Sequence, residues 1–547
     1  MTGVAALNWA DERRRWSHFY AGRLADQLRQ AVALMDDAPP HAVRPHFDSY
    51  LALLNATAAR PDLVAPWLAL VDRLHPQPVR WGQWAAWMGV LRRAADKAAE
   101  ANQPARQAEY LAYAAALLLN TGQLAAALDT AREGMRLAEH GRAAWPLAVA
   151  GGSAAAGLRA MARYDEAQAL VDQTRAGLTQ LPPPHPPARA ALAAALLGLE
   201  QMDLHRPFKR LDAALALGEA LVPRLAAVAG IDPHDLANAY VRRATIVWVS
   251  GQYAAAADDL QRAAILFRQA GDALQATFAE ANLGTVYYSM SRYGPAEAYK
   301  LAAVRAAEEV NARAQLVSEF GDLGAIYIAL GRMEAALDYT NRMIALAAEL
   351  GNDAELSRGR GNRGYALLGL GRHEEALADI EFGLDLYRQQ GRLEGTIVTT
   401  IDLILYLSGT GQTQRAAQLA QENYEAAWRE AFPHLRIVTA RCLALFLPPA
   451  EQETLLRQTL ALARQHARPM DEAGCLFSLS AVVADAGERA ALFQQGTALL
   501  RQMGCPGWLH NPIYQTGPET NNQYGCRQQN QRDIHHGRHR LAGQNGR

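Results

Sequence analysis

The sequence predicts an all-α chain, a right-handed α-solenoid superhelix of stacked antiparallel helix pairs. Three observations carry that prediction. Small residues recur every 40 positions, a second column of glycines and leucines keeps the same period, and the stretches between them space their apolar residues as helices do. Composition points the same way. Alanine and leucine dominate the 547 residues and aromatics are only 7%, and both leading residues lose little side-chain freedom in a helix.

The first column is Gly251, Ser291, Gly331, Gly371 and Gly411, each opening a short turn, and Ala256, Ala296, Ala336, Ala376 and Ala416 follow five residues later. Gly82, Gly122 and Ala162 keep the same beat earlier in the chain, with Ala127 and Ala167 in the alanine column. An alanine fixed at one offset lets two antiparallel helices approach closely. The second column is Gly284, Gly324 and Gly364, with Leu283, Leu323 and Leu403 beside it and Tyr287 and Tyr327 three residues on. Glycine inside a helix costs about 1 kcal/mol against alanine, so its return marks a place where a neighbouring helix needs the space. Each unit therefore reads as helix A (354–369 in one copy), a turn at Gly371-Arg372, helix B (373–389) and a breaker at Gly391. Arg363 stands in a column that is otherwise leucine.

Gly284, Tyr287, Tyr293 and Ala296 resemble the tetratricopeptide repeat (TPR): a small residue and an aromatic in helix A, a tyrosine at the turn and an alanine in helix B. The usual repeat is about 34 residues; copies of 40 are similar to the long-helix MalT-like regions of bacterial signalling proteins and to LGN-like scaffolds. The likeness is clearest over 230–430, weaker over 80–175, and fades at both ends. It implies a TPR-like superhelix, because such units bury their apolar faces only by stacking.

Taken in order, 1–80 is expected to be a helical N-terminal cap and 81–180 a first set of repeats. The segment LPPPHPPARA over 181–190 is expected to be an extended Pro-rich connector, either a joint between two arrays or a loop inside one. Residues 191–440 form the central array and 441–507 degenerate repeats and a cap. The stretch 508–547, whose run NNQYGCRQQNQRDIHHGRHRLAGQNGR has almost nothing apolar, is expected to be disordered, or to be a frameshift product that displaced a further domain.

Chemistry is sparse. With 54 basic and 55 acidic residues the net charge is −1, which gives no pull toward nucleic acid or an anionic membrane. Lysine occurs only at Lys97, Lys209 and Lys300. Cys442, Cys475, Cys505 and Cys526 form no C-x-x-C pair and suit a reducing, cytoplasmic setting. The first residues lack the apolar core of a signal peptide, and runs such as YLAYAAALLLN fall short of the ~20 residues of a membrane span. With no Gly-Lys dipeptide a phosphate-cradling P-loop is excluded, and G-x-S-x-G, H-E-x-x-H and H-x-E…C-x-x-C are absent. The glycines of SRGRGNRG (357–364) follow a helix, and Gly364 belongs to the repeat column. Asp533, His535, His536 and His539 carry metal-binding donors but sit in the polar tail, where they read as solvating groups. His205, His373 and His434 are expected at exposed turns without a role. No enzyme, no cofactor and no metal are expected.

One column in helix A stays polar through five copies: Arg242, Asn282, Asp322, Asn362 and Asp402, with Arg358 and Tyr365 near Asn362. The TPR resemblance implies that such residues line a concave groove and grip a peptide or helix of a partner protein. Asparagine both donates and accepts, and arginine forks onto a carboxylate. Alternatively these residues face solvent and keep the chain soluble. The expected function is a non-enzymatic interaction scaffold with a protein or peptide partner, binding neither nucleic acid nor membrane. The alternative is the sensor part of a signalling or transcription-regulating system of the STAND ATPase, cyclase or CHAT-protease type, its catalytic domain missing or separately encoded.

Overall fold

The computed structural model describes residues 9–504 except 37–39, 185–186, 206–207, 209, 430–432 and 467. Residues 508–547, with the His535 cluster, and Cys505 lie outside the described residues. Those described form helices and turns and no strand.

From Pro233–Val249 onward helices begin every 20 residues: Tyr253–Gln269, Ala273–Ser289, Tyr293–Glu309, Arg313–Ala329, Met333–Glu349, Asp353–Gly369, His373–Gln389, Leu393–Gly409 and Thr413–Ala427. The same beat governs Trp84–Glu100, Pro104–Asn120, Leu124–His140, Ala144–Ala160 and Tyr164–Thr179. The cause is a repeated turn with one left-handed residue. These are Gly82, Asn102, Gly122, Arg142 and Ala162 in the earlier run, and Gly251, Gly271, Ser291, Asn311, Gly331 and their successors to Gly411 in the later one. At Gly251 φ is 83°. The N–H of Gly251 bonds to Trp248 O at 2.9 Å, and that of Gln252 to Val247 O at 3.1 Å. These two bonds satisfy carbonyls that a helix end leaves open.

The side chains explain why the hairpins nest. Ala127, Ala167, Ala256, Ala296, Ala336, Ala376 and Ala416 are all 0% exposed. Opposite them, a Cβ on Gly324 would lie 2.8 Å from Thr340 Cγ2, and one on Gly364 2.7 Å from Ile380 Cγ1. The small columns are thus where helices A and B touch. Ala336→Leu is expected to overpack this contact and cost about 1–3 kcal/mol, read as a lower urea midpoint; an unchanged midpoint would refute the register.

Arg363 has its reason here too. Its guanidinium donates to Asp379 at 2.5 and 2.7 Å, and Arg360 reaches the same carboxylate at 2.5 Å. Arg243 and Asp259 repeat the arrangement at 2.5 and 2.7 Å. Where helix A carries leucine at this position, as at Leu323, helix B carries an apolar or aromatic residue, here Tyr339. Either chemistry fills the same space.

The chain divides into two compact units, one of residues 1–283 and 305–315, the other of 284–304 and 316–547. The division falls within the helix Ala273–Ser289, away from 181–190. In that Pro-rich stretch Leu181–Pro184 has no regular structure, but the helix Pro187–His205 already begins inside it, with proline at its first position, where a missing N–H costs nothing. In the first unit the off-beat helices Phe47–Thr57 and Val64–Leu74 are tied together by Trp67, fully buried, whose Nε1 donates to Leu54 O at 2.8 Å. In the second unit Phe477 and Leu500 of the closing helices pack with Tyr293 and Ala329. Among the described residues no helix is long and apolar enough to cross a membrane.

Candidate functional site

In the first unit the helices near residues 84–120 lie against the segments 238–283 and 305–315. Gly82 touches Val310 so closely that a Cβ would stand 2.4 Å from its Cγ1, and buried Arg80 pairs with Asp232 at 2.5 Å. Between them opens a cleft of about 290 Å³. Trp84, Val241, Phe267 and Phe278 give it apolar walls, and the carboxamides of Asn120, Asn238, Gln275, Asn282 and Gln315 converge on it. The carboxamides arrive from four helices and Trp84 and Phe267 from two others, so no local signal in the sequence announces the site. Only Asn282 was legible, through its place in the polar column.

Asn238 is anchored, its Nδ2 donating to His234 O at 3.1 Å. Beneath it, His234 packs edge-on to Phe267 and its Nε2 lies 3.3 Å from Asp272. Burial lowers the affinity of His234 for a proton, but Asp235 and Asp272 outweigh it and hold the imidazole above its ordinary value. Among the described residues neither the Asn120 nor the Asn282 carboxamide hydrogen-bonds to a protein group. Both keep donor and acceptor capacity for something else.

The other members of the column are engaged differently. Arg242, also in the first unit, bonds to Glu200 at 2.5 Å and Asp203 at 2.5 and 3.0 Å, both on Pro187–His205. In the second unit Asp322 accepts from Lys300 at 2.6 Å, Arg358 at 2.9 Å and Thr285 at 3.2 Å. Arg358 also binds Glu355. These rungs therefore bind one helix A to the next. Asn362 and Tyr365 are half-buried.

Asp402 is 6% exposed, and burial raises its carboxyl well above the ordinary range. Its analogue Asp322 is met by Arg358 from the following helix A; the corresponding position after Asp402 is Val438. A raised folded value means that stability is fullest below the unfolded carboxyl's range and is lost as pH rises toward the folded one. Asp402→Asn is accordingly expected to raise the melting temperature at pH 7 and leave it nearly unchanged at pH 3; no gain at pH 7 would refute this.

His205, His373 and His434, expected at exposed turns, are half-buried instead and lie at helix ends; His434 lies 3.7 Å from Glu394 of the helix Leu393–Gly409. Cys442 and Cys475 are buried, and burial pushes both thiols up to about 12, far from the thiolate that reactive cysteines need. Among the described residues no group of three His, Cys, Asp or Glu side chains is placed to hold a metal ion.

No family model and no curated protein matches the sequence. Solved structures do. The chain is similar to a Rap protein determined in complex with the competence and sporulation factor, at 12% identity and a TM-score of 0.53, over 65% of this chain and 98% of that one. The apo form of the quorum sensor NprR from B. thuringiensis matches at 13% identity and a TM-score of 0.45, over 64% of this chain and 96% of the other. Repeated antiparallel hairpins, a buried alanine column and the likeness to the Rap protein together give the chain the fold of tetratricopeptide-type helical repeat proteins.

Proposed function

We propose that this protein is a non-enzymatic interaction scaffold that holds an extended segment of a partner protein, and that the carboxamide cleft of the first unit is its grip. One observation carries the reading: half-buried carboxamides, two of them without a partner among the described residues, line a cleft between aromatic walls. A peptide backbone offers alternating N–H and C=O groups, and a carboxamide can meet either. Aromatic walls take up apolar side chains and so supply most of the free energy. The Rap protein whose fold it shares was solved in a complex, which fits a fold that carries a partner. Micromolar affinity, roughly −8 kcal/mol, is the scale expected of a short bound segment.

The polar column has a divided role in this reading. Asn282 faces the partner and Asn362 and Tyr365 remain candidates on the second unit, while Arg242, Asp322 and Arg358 serve the scaffold first and Asp402 is buried at a cost to stability. Replacing Asn120 and Asn282 together with alanine is expected to change the melting temperature little, since neither carboxamide hydrogen-bonds to another described residue. The same change should remove a defined set of proteins from quantitative affinity capture in the native cell. Equal recovery by wild type and variant would sink the cleft as the grip.

A further inference from the structure

A second feature of the first unit lies on other residues. Glu109 and Tyr113 come from the helix Pro104–Asn120, Trp145 from Ala144–Ala160, and Arg189 from the first turn of Pro187–His205. The Arg189 guanidinium lies over the Trp145 ring, 4.6 Å from its centroid. Its Nη2 donates to Glu109 Oε1 at 2.5 Å and to the Tyr113 hydroxyl oxygen at 3.1 Å. A ring face, a carboxylate and a phenolic oxygen around one cation are the groups that recognise an arginine side chain.

The three groups of this box also carry bonds among themselves. Trp145 Nε1 donates to the Tyr113 oxygen at 3.0 Å, the Tyr113 hydroxyl donates to Glu109 at 2.6 Å, and the Tyr113 ring stacks on His75 with centroids 3.9 Å apart. Its three recognition groups stand on helices fixed by the 20-residue turns. Arg189 does not. It follows the proline run, where Leu181–Pro184 has no regular structure and proline supplies no N–H to hold the backbone. The site is open to water, with the Arg189 side chain 37% and that of Glu109 25% exposed.

We propose that Glu109, Tyr113 and Trp145 form a recognition site for an arginine side chain of a bound protein segment, and that Arg189 is its internal occupant, displaced when the segment arrives. The cleft and this box share no residue, so either stands if the other falls.

The probe is Nα-acetyl-L-argininamide, titrated into the full chain and followed by saturation-transfer NMR. Arg189→Ala is expected to bind it at least tenfold more tightly than wild type, and Arg189→Ala with Glu109→Gln to lose that gain. Arg189→Gln, which removes the charge and keeps much of the volume, guards against misfolding and should behave as Arg189→Ala does. Folded Arg189 variants that bind the probe no better than wild type would overturn the proposal, and so would a gain that survives Glu109→Gln.

Discussion

Lys300→Met is expected to lower stability by about 3–5 kcal/mol, the usual loss when one partner of a buried ion pair is removed. Lys300 is 1% exposed and Glu319 0%. The Lys300 ammonium lies 3.0 Å from Glu319 and 2.6 Å from Asp322. Without it the Glu319 carboxylate stays in an apolar interior with its countercharge gone. Adding Glu319→Gln should recover part of the loss by removing that charge. The network also fixes a pH window. Burial alone would raise Asp322, but Lys300 and Arg358 outweigh it and hold the carboxyl below the ordinary range. Its contribution is therefore present above the unfolded carboxyl's range and is lost as pH falls through the lower folded value. Lys300 is likewise opposed by burial yet raised by Asp322 and Glu319, so its contribution persists until pH passes the ordinary lysine range. Melts of wild type and Lys300→Met should thus differ most between these limits and converge in acid; a small difference at pH 7 would contradict the buried-pair account.

The second large effect is expected from Asp379→Ala. Asp379 is 2% exposed and neutralises both Arg360 and Arg363, whose side chains are 29% and 22% exposed. Because both cations keep some water, the expected loss is about 2–3 kcal/mol, below that of a fully buried pair. The rest of the array supplies a rescue. Arg363→Leu with Asp379→Tyr installs the residues found at Leu323 and Tyr339, and replacing a buried pair by packed apolar groups is often neutral. Arg360 keeps the face of Phe382, 4.7 Å away. The double variant should come within about 1 kcal/mol of wild type by urea midpoint, whereas a loss equal to that of Asp379→Ala would show that the two arrangements are not equivalent.

Most of the frame was legible in the sequence because the frame is local. Helix A expected at 354–369 is found as Asp353–Gly369, and helix B expected at 373–389 as His373–Gln389. Glycine and alanine columns mark the turn and the A–B contact, both decided within one hairpin. Three of the turns offered no small residue to read, because Asn102, Arg142 and Asn311 adopt the left-handed conformation without being glycine. The ion pairs that replace leucine were readable in principle, since Arg243–Asp259 and Arg363–Asp379 share a separation of 16 residues. The cleft was not. It depends on contacts such as Gly82 with Val310, more than 200 residues apart, and no period or motif encodes which turns of a stacked array come to face one another. For the same reason the polar column left its use open: its periodicity shows that a face stays polar, but not whether the next helix or a partner satisfies it.

The uniform turn sets what kinds of change in length the protein can absorb. Excision of residues 333–372 would leave Gly331-Arg332 running straight into His373, the same three-residue joint with one storey fewer. Loss of a single residue inside a helix would instead rotate everything after it by about 100°, carrying the buried alanines out to water. Such a chain grows or shrinks by whole hairpin pairs, much as a ladder is cut between rungs.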